Sequence, residues 1–156
     1  MNTRRLVVVG LGGFRVGLDV HRVVEVHRMH AERPVVPVPG APAAVRGLVN
    51  LRGQLASVVA ARTALGIPAR EGTGAVHVVI RIGSGVVVFE VDGEDGLVDV
   101  APADSFETPG HLPAALAAVV VCVHPLNDAL LLEVDIDRMF SSASRSDVST
   151  VGGLLA

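Results

Sequence analysis

The side chains of this 156-residue chain that could do chemistry are few and scattered. His27 and His30 lie three residues apart and could share a metal ion. No carboxylate–histidine spacing of a known zinc type accompanies them, so surface or half-buried histidines explain them better. The same holds for His21, His77, His111 and His124. Ser57, Ser84 and Ser105 lack the strand–turn–helix context of a nucleophile elbow. Cys122 is the single cysteine and sits in an apolar run, which favours a buried, inert thiol. It allows no intrachain disulfide and no CxxC zinc cluster. Asp135 and Asp137 read as a solvated helix start, Glu94 and Asp95 as turn residues. Nothing assembles a nucleophile, a base and an electrophile. The chain is therefore read as non-enzymatic, with no catalytic, cofactor-binding or metal residue assigned.

The stretch with most local information is Arg46-Gly47-Leu48-Val49-Asn50-Leu51-Arg52-Gly53-Gln54-Leu55. Apolar residues lead into a polar Asn-Leu-Arg-Gly step and leave it again. Gly47 and Gly53 permit positive φ or close backbone approach. Asn50 can bond its own backbone in a turn. Arg52 places a rigid five-donor fork at a strand edge or turn. In isolation the step is a β-turn with a solvated arginine.

The elements that must position these groups are short strands. Leu6–Val9, Phe14–Val20, Val23–Val26, 46–51, 54–60, Val76–Ile82, Val86–Val91, Leu97–Val100, Ala118–Val123 and Ala129–Val134 each have strand composition and lie between turn signals. Ala60–Gly66 reads as one helical turn and Asp135–Phe140 as a short closing helix. Residues 34–45, with four prolines, form an extended connection. About ten strands with almost no helix is an all-β barrel or sandwich pattern, with the polar loop at 69–74 as a boundary between two parts. The glycines of Val7–Gly13 imitate a dinucleotide fingerprint, but Arg15 stands where its third glycine belongs and strand periodicity follows, so that reading fails.

Composition narrows the function classes. Half the residues are apolar and only 3% are aromatic, so the core is built from Val, Leu and Ala. Few rings and a net charge of −3 argue against nucleic acid. The charge is uneven: residues 1–75 carry ten arginines and four acids (+6), residues 76–156 three arginines and twelve acids (−9). Either opposite potentials steer a heterotypic contact, or folding interleaves the halves and cancels them. The longest apolar run, Ala114–Val123, is too short to span a bilayer. No signal peptide is evident, and one cysteine fits a reducing, cytoplasmic setting.

Taken together, the pattern resembles the CheW family, adaptors that couple bacterial chemoreceptors to a histidine kinase. The resemblance runs over residues 5–140. It is carried by Gly12–Val26, by Val45–Gly53, by Arg62 with Leu65-Gly66-Ile67-Pro68, and by Leu130–Phe140. It implies two five-stranded SH3-like barrels on a shared core, with a short C-terminal helix. The division is a single domain at 1–140 and a flexible Ser-rich tail at 141–156. It implies no cofactor, and localisation in the cytoplasm at receptor arrays. The implied partners are the receptor's signalling tip and the kinase's regulatory domain, without nucleic acid or membrane insertion. By position, Glu25, Gly47, Asn50, Arg52 and Gly53 match the family's protein-binding blocks. Arg52 would either hold the receptor tip or brace the groove through backbone carbonyls.

The chain departs from the family pattern in several places. Ala60 stands where an aspartate is usual and Glu90 where an apolar residue is usual. Val16 replaces an aromatic, Val88 a glycine, and a further glycine is lost within Val119-Val120-Val121. A diverged member follows, with a one-sided adaptor that has lost kinase docking as one alternative. A small-ligand-binding β-barrel is another.

Overall fold

The computed structural model describes residues 3–28, 34–68, 76–101 and 108–140. The expected tail 141–156, the loop 69–74, His30 and Ser105 lie outside them. Ten strands are present among the described residues: β1 (Arg4–Leu11), β2 (Phe14–Asp19), β3 (Val23–Arg28), β4 (Val45–Leu51), β5 (Gln54–Ala60), β6 (Val76–Ile82), β7 (Gly85–Val91), β8 (Gly93–Val100), β9 (Val120–Leu126) and β10 (Ala129–Val134). Three single-turn helices, α1 (Ala61–Ala64), α2 (Ala114–Ala117) and α3 (Ile136–Met139), accompany them.

The strands form two five-stranded sheets, in the orders β8-β1-β2-β10-β9 and β3-β6-β7-β5-β4. The all-β, two-part expectation holds. Each sheet is open: no ladder joins β8 to β9 or β3 to β4. In each sheet one parallel ladder, β2–β10 or β5–β7, sits among antiparallel ones. Followed along the chain, the two sheets have one topology, circularly permuted. The inner sheet is one continuous segment from β3 to β7, inserted between β2 and β8 of the outer sheet. The boundary expected at 69–74 is therefore wrong. The chain changes sheet near Val20–Arg22 and at Asp92, because β6 and β7 pair with β3 and β5.

Both faces of the middle strands are buried. Val7, Val9 and Leu11 of β1 point into a core shared with Val78 and Ile80 of β6 and Phe89 of β7. Leu6 and Val8 of β1 point the other way, into a small core of the outer sheet with Val100 and Leu131. Val79 and Val88 do the same in the inner sheet, with Val49, Ala56 and Val58. Each such side chain contributes about 1.5–3 kcal/mol by leaving water. Phe140, behind α3, packs on Phe89 with ring centroids 5.2 Å apart. Asp135 caps α3 by accepting from the amides of Asp137 and Arg138.

Two local readings change. The acidic residues after Asp92 belong to β8, which begins at Gly93 and runs against β1 with a register shift between Val7 and Val9. The apolar run 114–123 is divided: α2 opens after Pro113, and β9 continues through Pro125, which an edge strand tolerates.

The charged halves interleave. Arg4–Glu133, Arg5–Asp99, Arg15–Asp95, Arg22–Asp137, Arg46–Glu90 and Arg62–Asp92 each join a first-half arginine to a second-half acid. The strongest built pair is at the return crossover. Arg62 Nε and Nη2 donate to both oxygens of Asp92, and Arg62 Nη1 donates to the Pro68 carbonyl at 3.0 Å. The Gly12 amide donates to Asp92 at 2.8 Å, and the Asp92 amide bonds Gly10. One carboxylate thus ties the first hairpin, α1 and the crossover.

Arg62→Ala should cost about 2 kcal/mol, as expected for a charge-assisted pair. Urea denaturation of the two chains would measure it. Arg22 donates to both oxygens of Asp137, and this bonding lowers the Asp137 pKa from its ordinary value. A lowered acid stabilises the fold above its unfolded pKa, about 4, and loses that contribution as pH falls through the folded value. Arg22→Ala should return the Asp137 titration, followed by carboxyl NMR, to the ordinary range.

Candidate protein-interaction site

The β4–β5 hairpin closes tightly. Leu51 faces Gln54 across the ladder, leaving Arg52 and Gly53 as a two-residue turn. Both have positive φ, 53° and 88°, the pattern of a type I′ hairpin. The Asn50 side-chain oxygen accepts from the Gly53 amide at 2.7 Å, the local bond that the residue type suggested. A left-handed non-glycine residue costs on the order of 1 kcal/mol or more. Asn50 and Gly53 offset this by fixing the turn, and Arg52 is held at the hairpin tip.

Gly47 acts at the other end of β4. Its φ is 149°, and a Cβ there would lie 2.1 Å from the carbonyl oxygen of Val36. That carbonyl accepts from the Leu48 amide, and the Val36 amide donates to Leu48 in return. The proline-rich connection is thereby pressed against the outer edge of β4. Only glycine allows this approach.

Glu25 lies on β3, the opposite end strand of the inner sheet. Its Oε2 is 3.6 Å from Nη2 of Arg52, and its Oε1 is 2.8 Å from Nε2 of His27. The Arg52–Glu25 pair thus spans the seam that no ladder closes. The Arg52 side chain stays 81% exposed, so this contact leaves most of its donor fork to solvent. The brace found is a carboxylate rather than the backbone carbonyls expected. The structure brings four of the five expected residues together, Asn50, Arg52 and Gly53 at the hairpin turn with Glu25 beside them, and places Gly47 at the other end of β4. Exposed Val24 and Val26 adjoin Glu25 on β3, and exposed Leu55 follows the turn.

Sequence reasoning missed a polar row that crosses the inner sheet from β3. His27, His77 and Glu90 are successive cross-strand partners on β3, β6 and β7, and Ala60 of β5 faces Glu90. Glu90 is buried at 5% exposure, and its Oε1 accepts from Arg46 Nε at 3.1 Å. His77 Nε2 is 3.8 Å from Glu90 Oε2. The residues at 60 and 90 that depart from the family pattern are therefore neighbours. Alternation along Val86–Val91 put Glu90 opposite Phe89, but it could not show that both faces are covered.

A protein-family model described as a CheW-like domain matches residues 5–144. A chemotaxis protein CheW from Rhizobium meliloti is 30% identical over 136 residues, covering 85% of this chain and 87% of the relative. A chemotaxis protein CheW from Klebsiella aerogenes is 23% identical over 151 residues, covering 95% and 88%. The crystal structure of the scaffolding protein TtCheW from Thermoanaerobacter tengcongensis superposes with a TM-score of 0.74 at 20% identity, over 92% of this chain and 96% of that one, a likeness of fold.

Gly47→Ala should destabilise the chain by about 3 kcal/mol, through overpacking and backbone strain together. Arg52→Gly should leave stability unchanged or raise it by about 1 kcal/mol, because glycine removes the left-handed strain. Thermal denaturation of the two variants would separate these outcomes.

Proposed function

Because the chain belongs to the CheW-like family, we propose that it is a non-enzymatic adaptor that links chemoreceptors to a CheA-type histidine kinase in the cytoplasm. The observation that carries this reading is the hairpin tip. A strained, solvent-facing Arg52 is held beside Glu25 on a rigid scaffold, where a fold with no further use for it would place asparagine or glycine. Strain of this kind persists where a partner makes use of the side chain. The neighbouring apolar edge, Val24 and Val26, suits a helical or strand partner with carboxylates near its apolar stripe. No helix among the described residues is long and apolar enough to cross a membrane. Attachment to a membrane array would then come through the receptor.

The one-sided alternative drew its motive from Ala60 and Glu90. Their burial weakens it. Glu90 points into the inner sheet and bonds Arg46, so it presents no charge to a docking kinase. The carboxylate absent at 60 has a counterpart across the ladder at 90. This supports an internal exchange that leaves both outer surfaces in place.

Calorimetric titration tests the reading. The full chain should bind both a receptor signalling-tip fragment and the kinase's C-terminal regulatory domain. Arg52→Gly, which keeps the fold, should weaken receptor binding by at least about tenfold, the loss of roughly 1.4 kcal/mol. Receptor binding without kinase binding would favour the accessory adaptor. Binding to neither would refute the proposal.

A further inference from the structure

The outer sheet carries a second polar cluster, away from the hairpin tip. Cys122 and His124 are two apart on β9, so both side chains fall on one face. Glu133 is the direct cross-strand partner of Cys122 on β10. The cysteine sulfur, a His124 nitrogen and a Glu133 oxygen all lie within 4.8 Å of one another. His124 and Glu133 are buried, at 5% and 8% exposure, and Cys122 is half-buried. His124 Nε2 is 2.8 Å from Glu133 Oε1, and Arg4 Nη2 donates to the same oxygen at 2.8 Å.

We propose that Cys122, His124 and Glu133 form a binding site for a single divalent transition-metal ion of the zinc class. Thiolate, imidazole and carboxylate are the three zinc donor types, and a tetrahedral ion at bond lengths of about 2.0–2.3 Å holds its donors roughly 3.3–3.6 Å apart. Side-chain rotation covers the difference, and water takes the fourth position. One proton leaves on binding, that of the thiol; where the Nε2–H tautomer donates to Glu133, the imidazole stays neutral by carrying its proton on Nδ1 instead. The thiol proton goes to solvent, and the ion tightens its hold as pH rises. Arg4 is the competitor. Its guanidinium now neutralises Glu133, and because its side chain is 48% exposed it can withdraw into water when the ion enters. The site is thus a weak one by construction, with the cation and the guanidinium exchanging at one oxygen.

The test uses the reduced full-length chain titrated with cobalt(II), followed by zinc(II). Expected are thiolate-to-cobalt charge-transfer absorbance in the near ultraviolet, visible bands of tetrahedral intensity, and their loss on zinc addition. Cys122→Ser should abolish the charge-transfer band. Arg4→Ala should tighten cobalt binding by roughly tenfold or more, the scale on which neighbours of metal ligands act. A gain in affinity cannot come from misfolding. Absence of the bands overturns the proposal. So does a charge-transfer band that survives Cys122→Ser, or an affinity indifferent to Arg4→Ala, because the ion would then sit elsewhere.

Discussion

The middle strands of this protein bury both faces, and the rest of the structure follows from how that is achieved without large side chains. A strand such as β1 places Val7 and Val9 in the shared core and Leu6 and Val8 in the outer sheet's own core. Both faces must therefore be apolar, and both must be narrow. Valine meets that demand, being β-branched and compact. With aromatic residues scarce, each sheet packs its second face on a handful of valines, alanines and leucines. The end strands of each sheet do not pair with one another. In the inner sheet Arg52 and Glu25 meet between those unpaired end strands.

The charges are arranged around this constraint. Six arginines of the basic half meet six acids of the acidic half, four of the pairs between strands of one sheet and two, Arg22–Asp137 and Arg62–Asp92, between helical turns and connections. Most are exposed and worth little individually. Their effect is on geometry: Arg62 and Asp92 fix the crossover at which the chain leaves the inner sheet. Arg52 and Glu25 differ in kind, since both come from the basic half and span the inner seam. That pair is long and leaves the arginine exposed, so it braces the seam only weakly.

Much of the fold was legible in the residues. All ten strands were marked by β-branched runs between glycine, proline and acidic turns, and α1 and α3 by their boundary residues. The Asn50–Gly53 bond and the need for Gly47 followed from residue type. What was not legible is long-range. No periodicity says that β6 pairs with β3 while β8 returns to β1, so the two-part boundary was misplaced at 69–74. The metal-type cluster was within reach, however. The two-residue turn at Asn127 and Asp128, with Asn127 left-handed, sets Cys122 opposite Glu133 by counting outward. Reading Cys122 by its apolar neighbours alone hid its partner across the turn.

Departures from a family pattern mean different things once paired. Ala60 and Glu90 look in sequence like two losses, one of an acid and one of an apolar residue. In the parallel β5–β7 ladder they are one another's partners. Ala60 is small, and Arg46 on the far side of β5 can then reach Glu90. A buried carboxylate without such a cation would cost several kcal/mol. The arrangement is therefore closed: an acid at 90 requires the arginine at 46 and room at 60. Residues locked into one another in this way are constrained by the interior. The exposed hairpin tip places no such interior demand on Arg52, whose side chain stays largely in solvent.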